Sequence, residues 1–185
     1  MSLRLVANWK LNGSREFNNK WVDEFLKNFN SQNFPSIGIA PTSIYIDHLQ
    51  VALGDHAIKI GSQNIDIEEA GARTGEISAS MIKDSGCAFC IIGHSERRIL
   101  FYETNQQIGQ KLIQADNNSL TPILCIGESE EENQQNITFN VLETQIIEAL
   151  NDVPDLNSLI IAYEPVWAIG SGKTPNPEEI NSVHE

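Results

Sequence analysis

Residues 159–174 read LIIAYEPVWAIGSGKT and form the most informative segment of the chain. The first five residues are an apolar run typical of a buried strand, and Glu164 follows at the C-terminal tip of that run. Pro165 restricts the backbone directly after the glutamate, whereas Gly170 and Gly172 leave it free at the other end. Because apolar residues lie between a stiff hinge and a flexible one, the segment predicts a lid that closes over a small polar ligand.

Apolar runs predict strands along the whole chain, and helical patterns separate them. The runs are nearly continuous rather than alternating, which is typical of strands covered on both faces of a parallel sheet. The expected strands are Leu3–Trp9, Ser36–Ala40, Ile58–Gln63, Ala88–Ile92, Pro122–Ile126 and Ser158–Tyr163. Strands that alternate with helices imply an α/β fold, although periodicity alone does not separate a barrel from a doubly wound sheet.

Helices are predicted from apolar spacing and from capping residues. Aromatic residues recur at every fourth position over Phe17–Phe29, which predicts one helix. The segment Thr104–Gln107 has a capping-box pattern ahead of a second helix. A longer helix is expected over Glu128–Leu150, because its acidic start suits the positive end of the helix dipole. Asn176–Glu179 supplies a cap, a proline and a glutamate for the start of a last helix.

Composition excludes several classes of partner. The 185 residues carry a net charge of −13, which argues against nucleic acid and anionic membrane surfaces as partners. No apolar run approaches the roughly 20 residues of a membrane span. The first ten residues already resemble a strand and a site, so no signal peptide is expected. We therefore expect a cytoplasmic protein.

The three cysteines argue against a disulfide framework. Cys87 and Cys90 form a C-x-x-C pattern, but they open a buried-looking strand rather than a helix, where redox pairs usually lie. A zinc site would need a second pair of ligands, and only Cys125 and scattered histidines remain. We expect the cysteines to be structural residues of the core.

Separated motifs along the chain resemble those of the triosephosphate isomerases, in the same order and at compatible spacing. They are VANWK at residues 6–10, GSQN at 61–64, GARTGE at 71–76, IIGHSERR at 91–98, LCIGE at 124–128 and the lid segment. This resemblance, rather than periodicity, favours a TIM (β/α)8 barrel, which typically needs about 250 residues. Residues 1–185 are therefore expected to form one truncated barrel domain of six βα units. The last two units would be missing, and strands 1 and 6 would be open edges.

The resemblance implies an aldose–ketose isomerase that interconverts dihydroxyacetone phosphate and D-glyceraldehyde 3-phosphate through an enediolate, in glycolysis and gluconeogenesis. Glu164 is the expected base, because a closed apolar lid would desolvate its carboxylate and make it more basic. His94 is the expected electrophile, and the resemblance implies a neutral imidazole at a helix N-terminus, as in that family. Lys10 is expected to neutralise the phosphate and the enediolate. No metal and no cofactor are expected.

The resemblance also implies which residues bind substrate and which close over it. Asn8, Gly170 and Ser171 are expected to bind the substrate together with Lys10. The expected lid consists of Pro165, Val166, Trp167, Ala168, Ile169, Gly170, Ser171, Gly172, Lys173 and Thr174.

Further residues are expected to support the site or to form a dimer. Ser95, Glu96 and Arg97 are expected behind His94, with an ion pair between Glu96 and Arg97. Residues 66–78 are too long for a simple connection between a strand and a helix. In the resembled family this loop enters a second subunit, so Thr74 is expected at a homodimer interface.

Two other functions stay open at this point. An aldolase or an epimerase on a sugar-phosphate barrel would need a strand-borne lysine for a Schiff base, or a cluster of metal ligands. A truncated chain could instead be non-catalytic and only self-associate or bind a partner through its open edges. A phosphate-binding P-loop is not favoured, because Trp167 occupies the position of the first glycine of that motif.

Overall fold

The described part of the chain forms six strands, which make a single parallel sheet in chain order. The structure is a computed structural model and describes residues 5–29, 36–54, 56 and 58–185. The strands are β1 Leu5–Asn8, β2 Ile37–Ala40, β3 Ile58–Ser62, β4 Phe89–Ile92, β5 Thr121–Ile126 and β6 Ile160–Tyr163. Each pairs in parallel with the next, and the sheet curls into part of a barrel. The six predicted strands and the α/β class are confirmed, while residues 3 and 4 of the first predicted strand lie outside the described residues.

The helices alternate with the strands. They are α1 Arg15–Asn28, α2 Ile46–Leu53, α3 Ala79–Asp84, α4 Ser95–Leu100, α5 Asn105–Asn117, α6 Glu130–Gln134, α7 Thr138–Leu150 and α8 Pro177–His184. The predicted capping boxes are present at Thr104 and at Asn176, where each side chain accepts the backbone N–H three residues later. Short 3₁₀ turns at Ser43–Tyr45 and Val166–Ala168 complete the regular structure of the described residues.

The single helix predicted over Glu128–Leu150 is wrong. The segment forms two helices, α6 and α7, and Ser129 caps the first of them with Glu132. Asn136 lies between them with a φ of 57°, in the left-handed region that ends a right-handed helix. Asparagine adopts this conformation more readily than most residues, because its short polar side chain bonds locally.

Burial follows position in the sheet. Strands β2, β4 and β5 are buried along their whole length, whereas β1 and β6 are partly exposed because each has one neighbouring strand among the described residues. Phe89 fills the interior of the curl, and a Cβ at Gly61 would lie 2.4 Å from its ring. The sheet order therefore leaves β1 and β6 as edges, as the sequence predicted.

The cysteines lie in the core, as predicted. Cys87, Cys90 and Cys125 are buried and free. Burial raises the pKa of the Cys87 thiol to about 12, with a smaller contribution from Asp47. Burial also raises the pKa of Cys90 and Cys125, so all three remain protonated thiols near neutral pH.

Candidate active site

Three of the predicted site residues follow the C-terminal ends of β1, β4 and β6. Parallel strands place these ends at the same side of the sheet, where barrel enzymes build their sites. The Nε2 atom of His94 lies 3.3 Å from Oε1 of Glu164. The Nζ atom of Lys10 donates to Oε1 of Glu96 at 2.8 Å, and Glu96 lies two residues after His94. The fold thus brings together residues that are more than 80 positions apart in the chain, as Lys10 and Glu96 are 86 apart.

The orientation of His94 is set by the first turn of α4. His94 is the N-cap residue of this helix, and its Nδ1 atom accepts the backbone N–H of Glu96 at 3.1 Å. A neutral imidazole that accepts at Nδ1 carries its proton on Nε2, the nitrogen that faces Glu164. Gly93, with a φ of 70°, provides the sharp turn between β4 and the histidine. This arrangement presents a neutral N–H donor to the site.

Glu164 is held at the tip of β6 through both its backbone and its side chain. Its N–H donates to the Ile126 carbonyl at 2.7 Å, and its Oε2 accepts the N–H of Ser95 at 3.2 Å. Gly127 packs directly under this residue, since a Cβ at that position would lie 1.8 Å from the Glu164 carbonyl oxygen. A cavity of about 160 Å³ beside the carboxylate is lined in part by Gly93, Ser95, Cys125, Gly127 and Glu164.

Lys10 adopts an unusual backbone conformation that its neighbours support. Its φ of 53° is left-handed, which is uncommon for a residue other than glycine. Its N–H donates to Oδ1 of Asn8 at 3.0 Å. Its carbonyl accepts Nε2 of Gln63 at 3.0 Å and Oγ1 of Thr42 at 3.2 Å. The sequence analysis assigned no role to Gln63 or Thr42, and the signal for Gln63 was its place in the motif after β3.

The predicted ion pair between Glu96 and Arg97 is wrong. Glu96 pairs with Lys10 instead, and Arg97 pairs with Glu103. Successive residues on a helix project in different directions, so neighbours in sequence do not face each other. Glu103 also accepts from Lys111, and burial lowers the pKa of that lysine although Glu103 opposes the shift. The side chain of Arg97 therefore belongs to a buried group of charges with Glu103 and Lys111, and it does not pair with Glu96 beside His94.

Glu128 was missed as a site residue by the sequence analysis. It is fully buried, and its Oε1 accepts Tyr163 Oη at 3.1 Å, Trp167 Nε1 at 2.8 Å and Asn133 Nδ2 at 3.1 Å. Its backbone carbonyl accepts the N–H of Val166 at 3.1 Å. Burial and this carboxylate raise the pKa of the Tyr163 hydroxyl. Glu128 thus holds Tyr163, Val166 and Trp167 at the start of the predicted lid segment, and its position one residue after Gly127 at a strand end was the available signal.

The segment predicted to be a lid, residues 165–174, has its two glycines in the left-handed region. Gly170 and Gly172 have φ values of 69° and 77°, and no atom lies within 4 Å of where their Cβ atoms would be. Ser171 is exposed, and its hydroxyl donates to the Ala168 carbonyl at 3.2 Å. Lys173 pairs with Glu130 at the start of α6. The structure therefore assembles Asn8, Lys10, His94, Ser95, Glu96 and Glu164, and it leaves Gly170 and Ser171 exposed to solvent.

The loop over residues 66–78 is folded on itself. Arg73 forms a two-pronged pair with Asp66, with N–O distances of 2.6 and 2.8 Å, and the Asp66 N–H donates to the Ile77 carbonyl at 2.9 Å. Burial alone would raise the pKa of Asp66, but hydrogen bonds from Arg73 and the Glu68 amide lower it below its ordinary value of 3.8. The loop holds Thr74 exposed at the surface.

The helices and the metal-ligating side chains of the described residues bear on two other classes of protein, membrane proteins and metalloproteins. None of their helices is both long and apolar enough to cross a membrane. No three of their histidine, cysteine, aspartate and glutamate side chains converge as metal ligands.

A family model and individual relatives that match this chain all carry the same name. A family model described as triosephosphate isomerase matches residues 4–185. A triosephosphate isomerase of Nitrosococcus oceani is 40% identical over 182 residues, which are 97% of this chain and 73% of the relative. Those of Photorhabdus laumondii and Salmonella newport are 40% and 42% identical over 183 residues, each covering 98% of this chain and 72% of the relative. On these matches, the chain belongs to the triosephosphate isomerase family.

Proposed function

We propose that Glu164 and His94 perform the proton transfers that interconvert dihydroxyacetone phosphate and D-glyceraldehyde 3-phosphate. The observation that carries the assignment is the 3.3 Å approach of Glu164 Oε1 to the Nε2 atom of His94. A carboxylate base and a neutral N–H donor then face the same space at the ends of the strands. Each of the named relatives is a triosephosphate isomerase, so the aldolase and epimerase alternatives gain no support from them.

The reaction needs a base, a donor and a countercharge. Glu164 removes a proton from the carbon beside the carbonyl, and the Nε2–H of His94 stabilises the negative charge that develops on the oxygen. The protonated Glu164 then gives its proton to the neighbouring carbon, which restores the carboxylate. A second proton moves from the hydroxyl oxygen on the first carbon to the former carbonyl oxygen, and the isomeric product results. Lys10 supplies positive charge to the phosphate and the enediolate. Because Glu96 holds Lys10 at 2.8 Å, this pair also fixes the ammonium group in place.

The matched test compares Glu164→Gln with Glu143→Gln in a coupled isomerase assay on the 185-residue chain. Glu143 is exposed on α7, so its variant controls for the loss of one charge. We expect Glu164→Gln to lose roughly a thousandfold in kcat, because loss of a positioned base costs about 10² to 10⁴. Equal activity in the parent and both variants would reject the role of Glu164. Equal background in all three would support the non-catalytic alternative for this chain.

We propose a homodimer formed through the apolar end of α4. Ile99, Leu100, Phe101 and Tyr102 are between 56% and 82% exposed, and they lie a few residues after His94. Contiguous exposed apolar residues on a soluble protein commonly mark an interface. In this arrangement Thr74 reaches toward the site of the partner subunit.

Sedimentation velocity of Leu100→Asp and Phe139→Asp tests the dimer. Both residues are exposed, at 64% and 60%, but Phe139 lies on α7. We expect Leu100→Asp to sediment as a monomer and Phe139→Asp to remain dimeric. A monomeric parent would reject the homodimer.

A cytoplasmic location and a role in glycolysis and gluconeogenesis complete the proposal. They rest on the triose phosphate substrates of the family and on the acidic composition. Immunodetection after cell fractionation checks the location, and recovery in the membrane or secreted fraction would reject it.

A further inference from the structure

Gln145 of α7 holds both backbone groups of Gly127. Its Oε1 atom accepts the Gly127 N–H at 2.9 Å, and its Nε2 atom donates to the Gly127 carbonyl at 2.9 Å. A primary amide offers an acceptor and a donor side by side, and Gln145 uses one of each here. The side chain therefore joins α7 to the residue that follows β5.

Hydrogen bonds from the Glu164 segment pass Gly127 on both sides. The Glu164 N–H donates to the Ile126 carbonyl at 2.7 Å. The Val166 N–H donates to the Glu128 carbonyl at 3.1 Å. Because alternate residues of a strand bond to opposite sides, the N–H and the carbonyl of Gly127 point away from β6.

On its other side, Gly127 lies beyond the end of β4. Strand β4 ends at Ile92, which lies opposite Leu124, three residues before Gly127. The chain after β4 turns into α4, which begins at Ser95. A backbone N–H or carbonyl that is left without a partner away from water costs free energy. Gln145 thus supplies the hydrogen bonds that a neighbouring strand would give.

The position of Gly127 bears directly on that of Glu164. A Cβ at Gly127 would lie 1.8 Å from the Glu164 carbonyl oxygen, so the two backbones are in contact with no side chain between them. The Glu164 carboxylate in turn accepts the Ser95 N–H at 3.2 Å and lies 3.3 Å from His94 Nε2. A shift of Gly127 therefore changes the distances that place the carboxylate in the site.

Space is available for such a shift. The cavity of about 160 Å³ beside the carboxylate is lined in part by Gly127, Gln145 and Glu164, together with Arg98 and Glu132. Protein interiors are otherwise close-packed, so a segment beside a cavity has fewer atoms to hold it than one in the core. The two hydrogen bonds of Gln145 oppose movement of Gly127 into this space.

We propose that Gln145 is a positioning residue that holds Glu164 against Ser95 and His94 through Gly127. Because Glu164 is the proposed base, this role rests on the proposed function, although Gln145 touches no reacting group. The alternative is that the amide only joins α7 to β5 and stabilises the fold. The two roles differ in whether the carboxylate moves when the amide is removed.

The probe is the Ser95 amide in ¹H–¹⁵N correlation spectra of the labelled 185-residue chain. A hydrogen bond to a carboxylate is charge-assisted, and it moves an amide proton downfield. Glu164→Gln removes the charge but keeps an acceptor, so its spectrum measures how far the Ser95 signal depends on that carboxylate. This readout does not require turnover.

Three variants separate positioning from stability. Gln145→Met keeps nearly the length and volume of the side chain and removes both hydrogen bonds. Gln145→Asn keeps the amide on a shorter side chain that does not reach both groups of Gly127, and it decides the test if Gln145→Met does not fold. Gln50→Met is the matched control, because Gln50 Nε2 donates to the Ser85 carbonyl at 3.3 Å and joins α2 to the end of α3. Circular dichroism establishes that each variant is folded, and the coupled isomerase assay gives kcat and KM.

We expect Gln145→Met to move the Ser95 amide proton upfield, toward its position in Glu164→Gln, and Gln145→Asn to move it in the same direction. In an active parent, kcat should fall about tenfold, a smaller loss than the roughly hundredfold cost of a displacement of about 1 Å. KM should stay within about twofold, because a misplaced base weakens the transition state more than it weakens substrate binding. Gln50→Met should lower Tm and leave the Ser95 signal and kcat at parental values, since its hydrogen bond is remote from the site.

An unshifted Ser95 amide in the folded Gln145 variants overturns the positioning role, as does an equal shift in Gln50→Met. Parental kcat in folded Gln145→Met also overturns it. If the parent shows no turnover and the Ser95 amide still shifts in Gln145→Met, the positioning role is upheld and catalysis by this chain is rejected.

Discussion

The substitution Gly127→Ala tests whether the contact under Glu164 positions the base. The new Cβ would lie 1.8 Å from the Glu164 carbonyl oxygen and 2.8 Å from its carbonyl carbon. Real Cβ atoms approach no closer than 3.0 Å, so the two backbones must separate by at least 1.2 Å. Backbone hydrogen bonds on both sides of the contact resist that movement: the Glu164 N–H donates to Ile126 at 2.7 Å, and the Val166 N–H donates to Glu128 at 3.1 Å.

The expected effect follows from this displacement. Misplacing a catalytic group by about 1 Å costs about 10²-fold in rate, so kcat should fall about a hundredfold. The free energy of unfolding should fall by about 1–3 kcal/mol, the usual cost of overpacking. Steady-state kinetics in the coupled assay gives kcat and KM, and thermal unfolding gives the change in Tm.

Gly109→Ala is the matched control. Its Cβ would lie 2.6 Å from the Ala149 carbonyl oxygen, a comparable backbone clash between α5 and α7. We expect it to lower Tm while preserving kcat, because the clash is in the helical layer. Parental kcat in folded Gly127→Ala, or an equal loss of kcat in Gly109→Ala, would refute the reasoning.

Three further predictions concern buried polar groups and thiols. Asn18 is 0% exposed and neither of its amide atoms has a partner among the described residues, so Asn18→Leu should stabilise the fold by about 1–2 kcal/mol; a lower Tm would show that the amide is satisfied. The pKa of Asp66 is lowered, so its pairing with Arg73 stabilises the fold fully above pH 3.8 and loses this effect as pH falls through the folded-state pKa. Asp66→Asn should therefore flatten the acid limb of Tm against pH, and an unchanged limb would contradict this account. Cys87 and Cys90 should resist iodoacetamide at pH 8 until the chain unfolds, because burial raises their pKa; mass spectrometry showing rapid native labelling would exclude their burial.

Local patterns predicted much of the fold. The capping boxes at Thr104 and Asn176 depend on residues three positions apart, so a short window of sequence contains the whole interaction. The break between α6 and α7 escaped prediction, because Asn136 is compatible with a helix until the packing of both helices requires a left-handed residue there. The helix propensity of asparagine is a weak preference, and it does not indicate that packing requires a left-handed residue at this position.

The candidate site also has residues that the sequence predicted and contacts that only the structure shows. Glu164, His94 and Lys10 were expected at the site because their motifs resemble those of the family, and each follows an apolar run whose end lies on the shared side of a parallel sheet. The partner of Glu96 was not predictable from the chain, since Lys10 is 86 residues away. Glu128 also looked like one member of an acidic helix start, until the fold buried it under Tyr163 and Trp167.

Thus the order of residues determined the strands, the caps, the lid hinges and the identity of the chemical groups, because these depend on neighbours within a few positions. Tertiary structure alone decided which charges pair, which carboxylate anchors the lid and which apolar surfaces stay exposed. These outcomes depend on distances between residues that are remote in the chain, and such distances exist only after the strands have aligned. Helix α1 shows the difference: the four-residue spacing of its aromatic residues predicted the helix, and only the position of β1 at the sheet edge leaves Phe17 49% exposed.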